Sequence, residues 1–179
     1  MRIGSNGCEK NLNFLPDLIV IIRGGEMGDS LRNVVLTDFI RKNFSVNNVL
    51  VVADGKAELA RKLANKEYRV RVIEAKPRFE GRKHPLITYQ KGWFDEDSEV
   101  KEELIVGMHP DHATIEIILA ANKNNLPFVI VPCCILGRKE IVNGVNGFQG
   151  WVKVLKRLAG ECRETTLKFS GKNLVLYRR

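Results

Sequence analysis

Residues 49–60, V-L-V-V-A-D-G-K-A-E-L-A, contain the pattern that decides the fold. The segment begins with a short apolar, β-branched run, passes through Asp54 and Gly55, and continues at helical spacing. A fully apolar run of this length is typical of a parallel strand that is buried on both faces. The segment therefore predicts a strand at 49–53, a glycine turn and a helix at 57–65. The residues predicted to face inward from this helix are Leu59, Ala60, Leu63 and Ala64.

The same alternation extends in both directions along the chain. Upstream, residues 17–22 predict a strand, with Asp17 followed by five apolar residues, and precede a glycine-rich turn and a helical pattern that reaches residue 40. Downstream, the pattern predicts strands at 69–74, 86–90, 104–107 and 128–131, helices at about 110–124 and 148–158, and a hairpin of 165–169 with 173–177. This order predicts an α/β fold: a doubly wound, mostly parallel sheet with helices on both faces and a C-terminal antiparallel β-hairpin. We expect one domain over residues 1–179, in which residues 1–45 form a strand-turn-helix extension on the same sheet.

Composition excludes several classes of protein. The 179 residues are 44% hydrophobic and 28% charged, which is typical of a single globular domain and not of a disordered, collagenous or coiled-coil chain. The longest apolar runs are far too short to span a bilayer, and the N-terminal region lacks the apolar stretch of a signal peptide. Four cysteines in a chain of this length do not indicate a disulfide framework. We therefore expect a cytoplasmic protein that does not enter a membrane.

The net charge of +8 is unevenly distributed. Residues 61–83 carry nine basic side chains against three acidic ones, and such a patch can contact phosphates. The alternative is an ordinary solvated surface, formed by one helix face and the ends of strands. RNA is therefore a possible partner that the sequence leaves open.

Three short segments carry a resemblance to a known family: residues 49–60, G-M-H-P-D at 107–111 and V-P-C-C at 131–134. Together they resemble motifs of class I S-adenosylmethionine-dependent methyltransferases, which have a Rossmann-like fold. Residues 49–60 are similar to the first motif in its acid-x-Gly-x-Gly-Lys-Gly-Glu-Leu form, with Val51, Ala53 and Ala57 in place of the acid and of the first and last glycines. G-M-H-P-D at 107–111 takes the place of the Asn/Asp-Pro-Pro-aromatic motif of amino-methyltransferases. V-P-C-C at 131–134 resembles the fifth strand end of a subgroup related to RNA-modifying enzymes. The resemblance covers residues from about 46 onward.

The resemblance implies a function and a set of site residues. It implies a methyl transfer from S-adenosylmethionine to an unknown acceptor, with RNA as one candidate. The donor would be held by Asp54, Gly55, Lys56, Glu74 and Trp93, in a position where Glu74 can accept hydrogen bonds from ribose hydroxyls. Catalysis would fall to His109, as a neutral imidazole, and to Asp111. Two alternatives remain: capping of the helix explains both residues, and packing in the core is favoured for Trp93 and Phe94.

The turn R-G-G-E-M-G at 23–28 lies outside this resemblance. Its glycines can expose backbone N–H groups to an anion, with Arg23 adding a charge and Glu26 available as a base. The alternative is a tight turn in which Arg23 and Glu26 pair with each other. We predict an anion or substrate site formed by Arg23, Gly24, Gly25, Arg78 and Arg82.

A metal site is the less favoured interpretation of the remaining polar residues. His109, His112, Cys133 and Cys134 offer the nitrogen and sulfur ligands that zinc prefers. Their spacing matches no common zinc signature, and the sequence favours cysteines that pack as small apolar groups. We therefore assign no metal ligand from the sequence. Two further hypotheses for the whole chain keep the fold without the donor. In the second, the domain binds another nucleotide or phosphate ligand through residues 23–26. In the third, it is a non-catalytic domain that binds RNA or a protein partner through its positive face.

Overall fold

The structure is a computed structural model, and it describes residues 27–78 and 83–179. The helices in these ranges are α1 (Met27–Asn43), α2 (Glu58–Ala64), α3 (Ala113–Lys123), α4 (Lys139–Val142) and α5 (Gly147–Ala159). The strands are β1 (Asn48–Val52), β2 (Arg69–Glu74), β3 (Ile87–Lys91), β4 (Leu104–Met108), β5 (Phe128–Val131), β6 (Arg163–Thr166) and β7 (Leu174–Arg178).

The strands form one seven-stranded sheet in the order β3-β2-β1-β4-β5-β7-β6. The first five strands in this order pair in parallel, with Val51 opposite both Val72 on β2 and Val106 on β4. β7 pairs antiparallel with β5 on one side and with β6 on the other. The mostly parallel sheet with a C-terminal antiparallel pair is thus confirmed.

Two hydrophobic cores lie on opposite faces of the sheet, because successive side chains of a strand point to opposite faces. On β1, Val49 and Val51 belong to one core and Leu50 and Val52 to the other. The first core includes buried residues of α1 and α2, and the second is covered by α3 and α5. The four residues that the sequence predicts to face inward from α2 are buried. The prediction of helices on both faces is therefore confirmed.

Some element boundaries differ from the predicted ones. The helix after β4 begins at Ala113, so Pro110 does not occupy its first turn. The hairpin strands lie at Arg163–Thr166 and Leu174–Arg178, so the connection is longer than the predicted 170–172 turn. The short helix α4 was not predicted. The strand predicted at 17–22 lies outside the described residues.

No helix in the two described ranges has the length and apolar character needed to cross a membrane.

Candidate functional site

A cleft of about 1390 Å³ opens where the parallel strands end. Its lining comes from the segments that follow β1, β2, β3 and β4, and it includes Cys133 after β5 and Arg32 from α1. Ligands of doubly wound sheets bind at this edge. The cleft is therefore the candidate functional site.

The turn after β1 has the backbone of a glycine motif at two positions that are alanine. Ala53 and Ala57 have φ values of 58° and 56°, in the left-handed region that glycine enters without steric cost. Gly55 between them also has a positive φ, 34°. The turn thus keeps a glycine-like conformation at the positions where the sequence departs from the motif.

Glu74 at the end of β2 holds this turn in place. Its carboxylate accepts hydrogen bonds from the backbone N–H of Gly55 at 2.7 Å and of Lys76 at 2.8 Å, one on each oxygen. The residue is only 8% exposed, yet it lines the cleft. Because each carboxylate oxygen can accept a second hydrogen bond, Glu74 retains acceptor capacity toward a ligand.

Asp54 lines the cleft, and both of its carboxylate oxygens are bonded to the start of α2. Its carboxylate oxygens accept hydrogen bonds from the backbone N–H of Ala60 at 2.8 Å and of Leu59 at 3.4 Å. Burial raises the pKa of Asp54 to about 7, with smaller contributions from the neighbouring carboxylates of Glu58 and Glu74. Asp54 therefore stabilises the turn and changes charge near neutral pH.

Arg78 covers the glycine turn from the other side. Its backbone N–H donates to the Gly55 carbonyl at 2.8 Å, and its guanidinium lies so close that a Cβ built on Gly55 would be 2.7 Å from Nη2. The guanidinium of an exposed arginine can move aside or bind an anion. Arg78 is thus placed over the part of the cleft that the sequence assigns to the ligand.

Trp93 and Phe94 occupy different environments. Phe94 is buried in the second core, as the sequence favours. Trp93 is 72% exposed and lines the cleft, so the expectation that it packs in the core is wrong. The adjacent side chains separate because only one of them faces the apolar layer. An exposed indole at the rim can stack on a planar ligand.

Both ring nitrogens of His109 have partners. Nε2 donates to the carbonyl of Lys172 at 2.8 Å, because a carbonyl can only accept. Nδ1 then accepts from the guanidinium of Arg32 at 3.1 Å. This arrangement selects the neutral imidazole with its proton on Nε2. His109 can take a proton at Nδ1 only after Arg32 has moved away.

Asp111 interacts with the end of β5 and does not cap α3 through its side chain. Its Oδ1 accepts a hydrogen bond from Sγ of Cys133 at 3.0 Å. Burial, followed by this carboxylate, raises the pKa of the Cys133 thiol above its ordinary value. Cys134 is exposed, so the expectation that both cysteines pack as apolar groups is wrong for it. The donor atoms of Asp111, Cys133 and Cys134 all lie within 4.8 Å of one another.

Arg138 joins three parts of the cleft wall. Its guanidinium forms a bidentate hydrogen bond with Glu116 on α3, at 2.9 and 2.7 Å, and an ion pair with Glu96 at 3.3 Å. These carboxylates raise the pKa of Arg138 further above its already high value. The segment after β5 is thereby held against α3.

The structure brings most of the predicted site residues to one cleft. Its lining includes Asp54, Gly55, Lys56, Glu74, Arg78, Trp93, His109, Asp111 and His112. The predicted residues Arg23, Gly24, Gly25, Glu26 and Arg82 lie outside the described residues. Sequence reasoning missed Arg32 and Arg138. No local motif marks either residue, since their partners lie far away in the sequence.

Comparison with known proteins agrees with this fold. No protein-family model and no curated protein matches the sequence. Among solved structures, a TehB-like SAM-dependent methyltransferase from Corynebacterium glutamicum has a TM-score of 0.54 at 16% identity, over 86% of this chain and 88% of its own.

Two further solved structures are larger than this chain. The S-adenosylmethionine-dependent methyltransferase SibL has a TM-score of 0.56 at 14% identity, over 82% of this chain and 54% of its own. Human N-acetylserotonin methyltransferase, solved with SAM, has a TM-score of 0.53 at 11% identity, over 83% of this chain and 51% of its own. This chain therefore spans about half the length of these two proteins. The described part of the chain has the Rossmann-like fold of class I S-adenosylmethionine-dependent methyltransferases.

Proposed function

We propose that the cleft binds S-adenosylmethionine and that the protein is a methyltransferase. The observation that carries this proposal is the contact between Glu74 and Gly55, 2.7 Å long, at the ends of two neighbouring parallel strands. It places a carboxylate with spare acceptor capacity beside a glycine turn, within a cleft of sufficient volume. The shared fold adds support.

The residues present fit this cofactor in three respects. Glu74 can accept hydrogen bonds from the ribose hydroxyls. The exposed ring of Trp93 offers a stacking surface for the adenine. The left-handed residues Ala53 and Ala57 keep the turn in the conformation that a glycine motif requires.

The work of this chain in the reaction would be binding and alignment. When bound, S-adenosylmethionine supplies a methyl group on a positively charged sulfur. Alignment of donor and acceptor accounts for a large part of the barrier reduction in such reactions. His109 is the candidate for accepting a proton from the acceptor at Nδ1, once Arg32 is displaced. Asp111 is the candidate for positioning the acceptor.

Calorimetric titration with S-adenosylmethionine and S-adenosylhomocysteine tests this proposal directly. We expect micromolar binding, and Trp93→Ala should weaken it by about 5- to 150-fold, which corresponds to the ~1–3 kcal/mol of a base–aromatic stack. Val34→Ala is the matched control, because Val34 is also an exposed apolar residue but does not line the cleft. Absence of binding by the unmutated protein would refute the cofactor assignment.

Basic side chains on one wall of the cleft favour an anionic acceptor. Lys56, Lys76, Arg78 and Lys91 are exposed and line this wall. RNA is the acceptor class that we propose on this basis, since its backbone presents a phosphate at every nucleotide.

A second candidate function follows from the position of Arg78. Its guanidinium lies against Gly55, where it could pair with a phosphate group instead of the cofactor's amino acid portion. A nucleoside phosphate would then be the ligand of the same cleft. Titration with AMP distinguishes this candidate: Arg78→Ala should weaken AMP binding at least tenfold, by about 1.4 kcal/mol or more. Arg61→Ala, an exposed arginine of α2 outside the cleft, should leave it unchanged, and equal effects would count against the site.

A further inference from the structure

Three side chains with metal-binding chemistry meet beside the cleft, which two of them, Asp111 and Cys133, line. They are Asp111 from the loop after β4, and Cys133 and Cys134 from the segment after β5. Sγ of Cys133 lies 3.0 Å from Oδ1 of Asp111, and Sγ of Cys134 lies within 4.8 Å of both atoms.

The local backbone explains why two adjacent cysteines can face one point. In an extended strand they would point to opposite faces of the sheet. Here β5 ends at Val131, and the chain leaves the strand direction through Pro132 before both cysteines are reached. The N–H of His109 donates to the carbonyl of Val131 at 3.0 Å, which fixes the loop after β4 beside this segment. That bond brings Asp111 to the cysteines.

The distances suit a small tetrahedral ion. Metal–ligand bonds of about 2.0–2.3 Å separate neighbouring ligand atoms of a tetrahedral zinc site by about 3.3–3.8 Å. The observed separations of 3.0 Å and at most 4.8 Å bracket these values, so side-chain rotations can close the site. Two thiolates and one carboxylate form a donor set that selects thiophilic cations over Mg²⁺ or Ca²⁺.

We propose that Asp111, Cys133 and Cys134 bind a thiophilic divalent cation, for which Zn²⁺ is the physiological candidate. Binding replaces the Cys133–Asp111 hydrogen bond: both thiols lose their protons to solvent, and the two thiolates and the carboxylate coordinate the ion. The net charge of the three ligands changes from −1 to −3, which the divalent ion largely compensates. Three protein ligands leave a fourth position, and the cleft gives water or a substrate group access to it.

This site does not depend on the proposed methyltransferase function. Binding of the ion involves none of the residues that we assign to S-adenosylmethionine, so each assignment can fail without the other. If both assignments hold, Asp111 would position the methyl acceptor through the bound ion.

Titration of the reduced protein with Cd²⁺ alone tests the proposal, because cadmium–thiolate bonds absorb in the ultraviolet whatever the activity of the protein. We expect one Cd²⁺ per chain with absorbance for two thiolates, displacement by Zn²⁺, and release of protons that a pH indicator detects. Cys133→Ser and Cys134→Ser should each halve the absorbance. Since loss of even an outer-shell partner weakens metal sites by about 10- to 100-fold, each variant, and Asp111→Asn, should lose at least tenfold in affinity.

Cys162→Ser is the matched control, since Cys162 is a half-buried thiol at another edge of the sheet. Cys8, which lies outside the described residues, is replaced by serine in every sample. Circular dichroism verifies that each variant is folded. The proposal is overturned if Cd²⁺ does not bind, if Cys162→Ser weakens binding as much as the two site cysteines do, or if Asp111→Asn binds with unchanged affinity.

Discussion

At the scale of single residues, the turn after β1 stores strain. Ala53 and Ala57 hold left-handed backbone conformations, which cost about 1–2 kcal/mol for a residue with a Cβ. The hydrogen bonds of Gly55 to Glu74 and of Ala60 to Asp54 compensate for this strain by fixing the turn from both sides. The conformation is therefore imposed by the surroundings and not by the local sequence.

Ala53→Gly should relieve part of this strain. We expect a free energy of unfolding that is unchanged or higher by up to about 1 kcal/mol, because the greater freedom of glycine in the unfolded chain offsets some of the gain. Ala60→Gly, in the interior of α2, should instead lower the free energy of unfolding by about 1 kcal/mol or more. Urea denaturation of both variants measures the difference. A loss of stability on Ala53→Gly as large as that on Ala60→Gly would contradict the strain argument.

Asp54 should make stability depend on pH. Its folded-state pKa of about 7 lies above the ordinary value of 3.8, so its contribution to stability is full below 3.8 and is lost as pH rises to about 7. Asp54→Asn removes this pH-dependent loss of stability, because the asparagine side chain carries no charge at any pH. The variant should therefore gain stability relative to the unmutated protein as pH rises from about 4 to about 7, by roughly 1.4 kcal/mol for each unit by which the pKa is shifted. Thermal denaturation across this range measures the gain.

The exposed Asp38 on α1 provides the control for this comparison. Asp38→Asn should show no such trend with pH. If the two variants changed in parallel, the pH dependence would not arise from the buried carboxylate.

At the scale of elements, the Arg138–Glu116 pair fixes the segment that carries α4. The Glu116 side chain is 14% exposed and that of Arg138 32%, so the pair is largely shielded from water. Arg138→Ala leaves the Glu116 carboxylate without its bidentate partner and should lower the free energy of unfolding by about 1–3 kcal/mol. Lys101→Ala removes an ion pair whose side chains are more than 70% exposed, and should cost less than about 1 kcal/mol. Chemical denaturation measures the free energy of unfolding of both variants. Equal losses of stability would show that the Arg138–Glu116 pair contributes no more than an exposed ion pair.

Element types were predictable from the sequence because apolar periodicity reflects burial. β1 and α2 were predicted to within one residue, since β1 is buried on both faces and α2 buries one stripe. The start of α3 was predicted about three residues too early. Pro110 lies between His109 and Asp111, and the positive φ values of these two residues prevent a helix there. Histidine and aspartate enter the left-handed region more often than most residues, but neither residue type marks it in a sequence as reliably as glycine does.

The site was predictable where it follows from strand order and unpredictable where it depends on side-chain contacts. Parallel strands end at the same edge, which is why Glu74 and Gly55 were expected together. The contact between Arg32 and His109 joins residues 77 positions apart, on a helix and a loop. Trp93 was misjudged because adjacent aromatic residues look alike in a sequence whichever of them faces the core.

At the scale of the whole molecule, the net charge of +8 should make the RNA binding that we propose strongly dependent on salt. For single-stranded RNA we expect the logarithm of the affinity to fall linearly with the logarithm of the salt concentration. Arg78→Ala and Lys83→Ala should each reduce the slope by about 0.7, whereas Lys153→Ala on α5 should leave it unchanged. Fluorescence anisotropy at several salt concentrations measures the slope. A flat dependence would argue against an RNA partner.

The sheet order has a consequence for synthesis on the ribosome. β7 is inserted between β5 and β6, although it follows both in the chain. Until residue 178 has emerged, β5 has an unpaired edge and the exposed strand β6 has no neighbour to bind. Nascent chains that stop in this interval carry an open strand edge, which is the usual starting point of intermolecular pairing. Ribosomal pausing between β5 and β7 would therefore prolong the interval in which the edge of β5 is open to pairing with another chain.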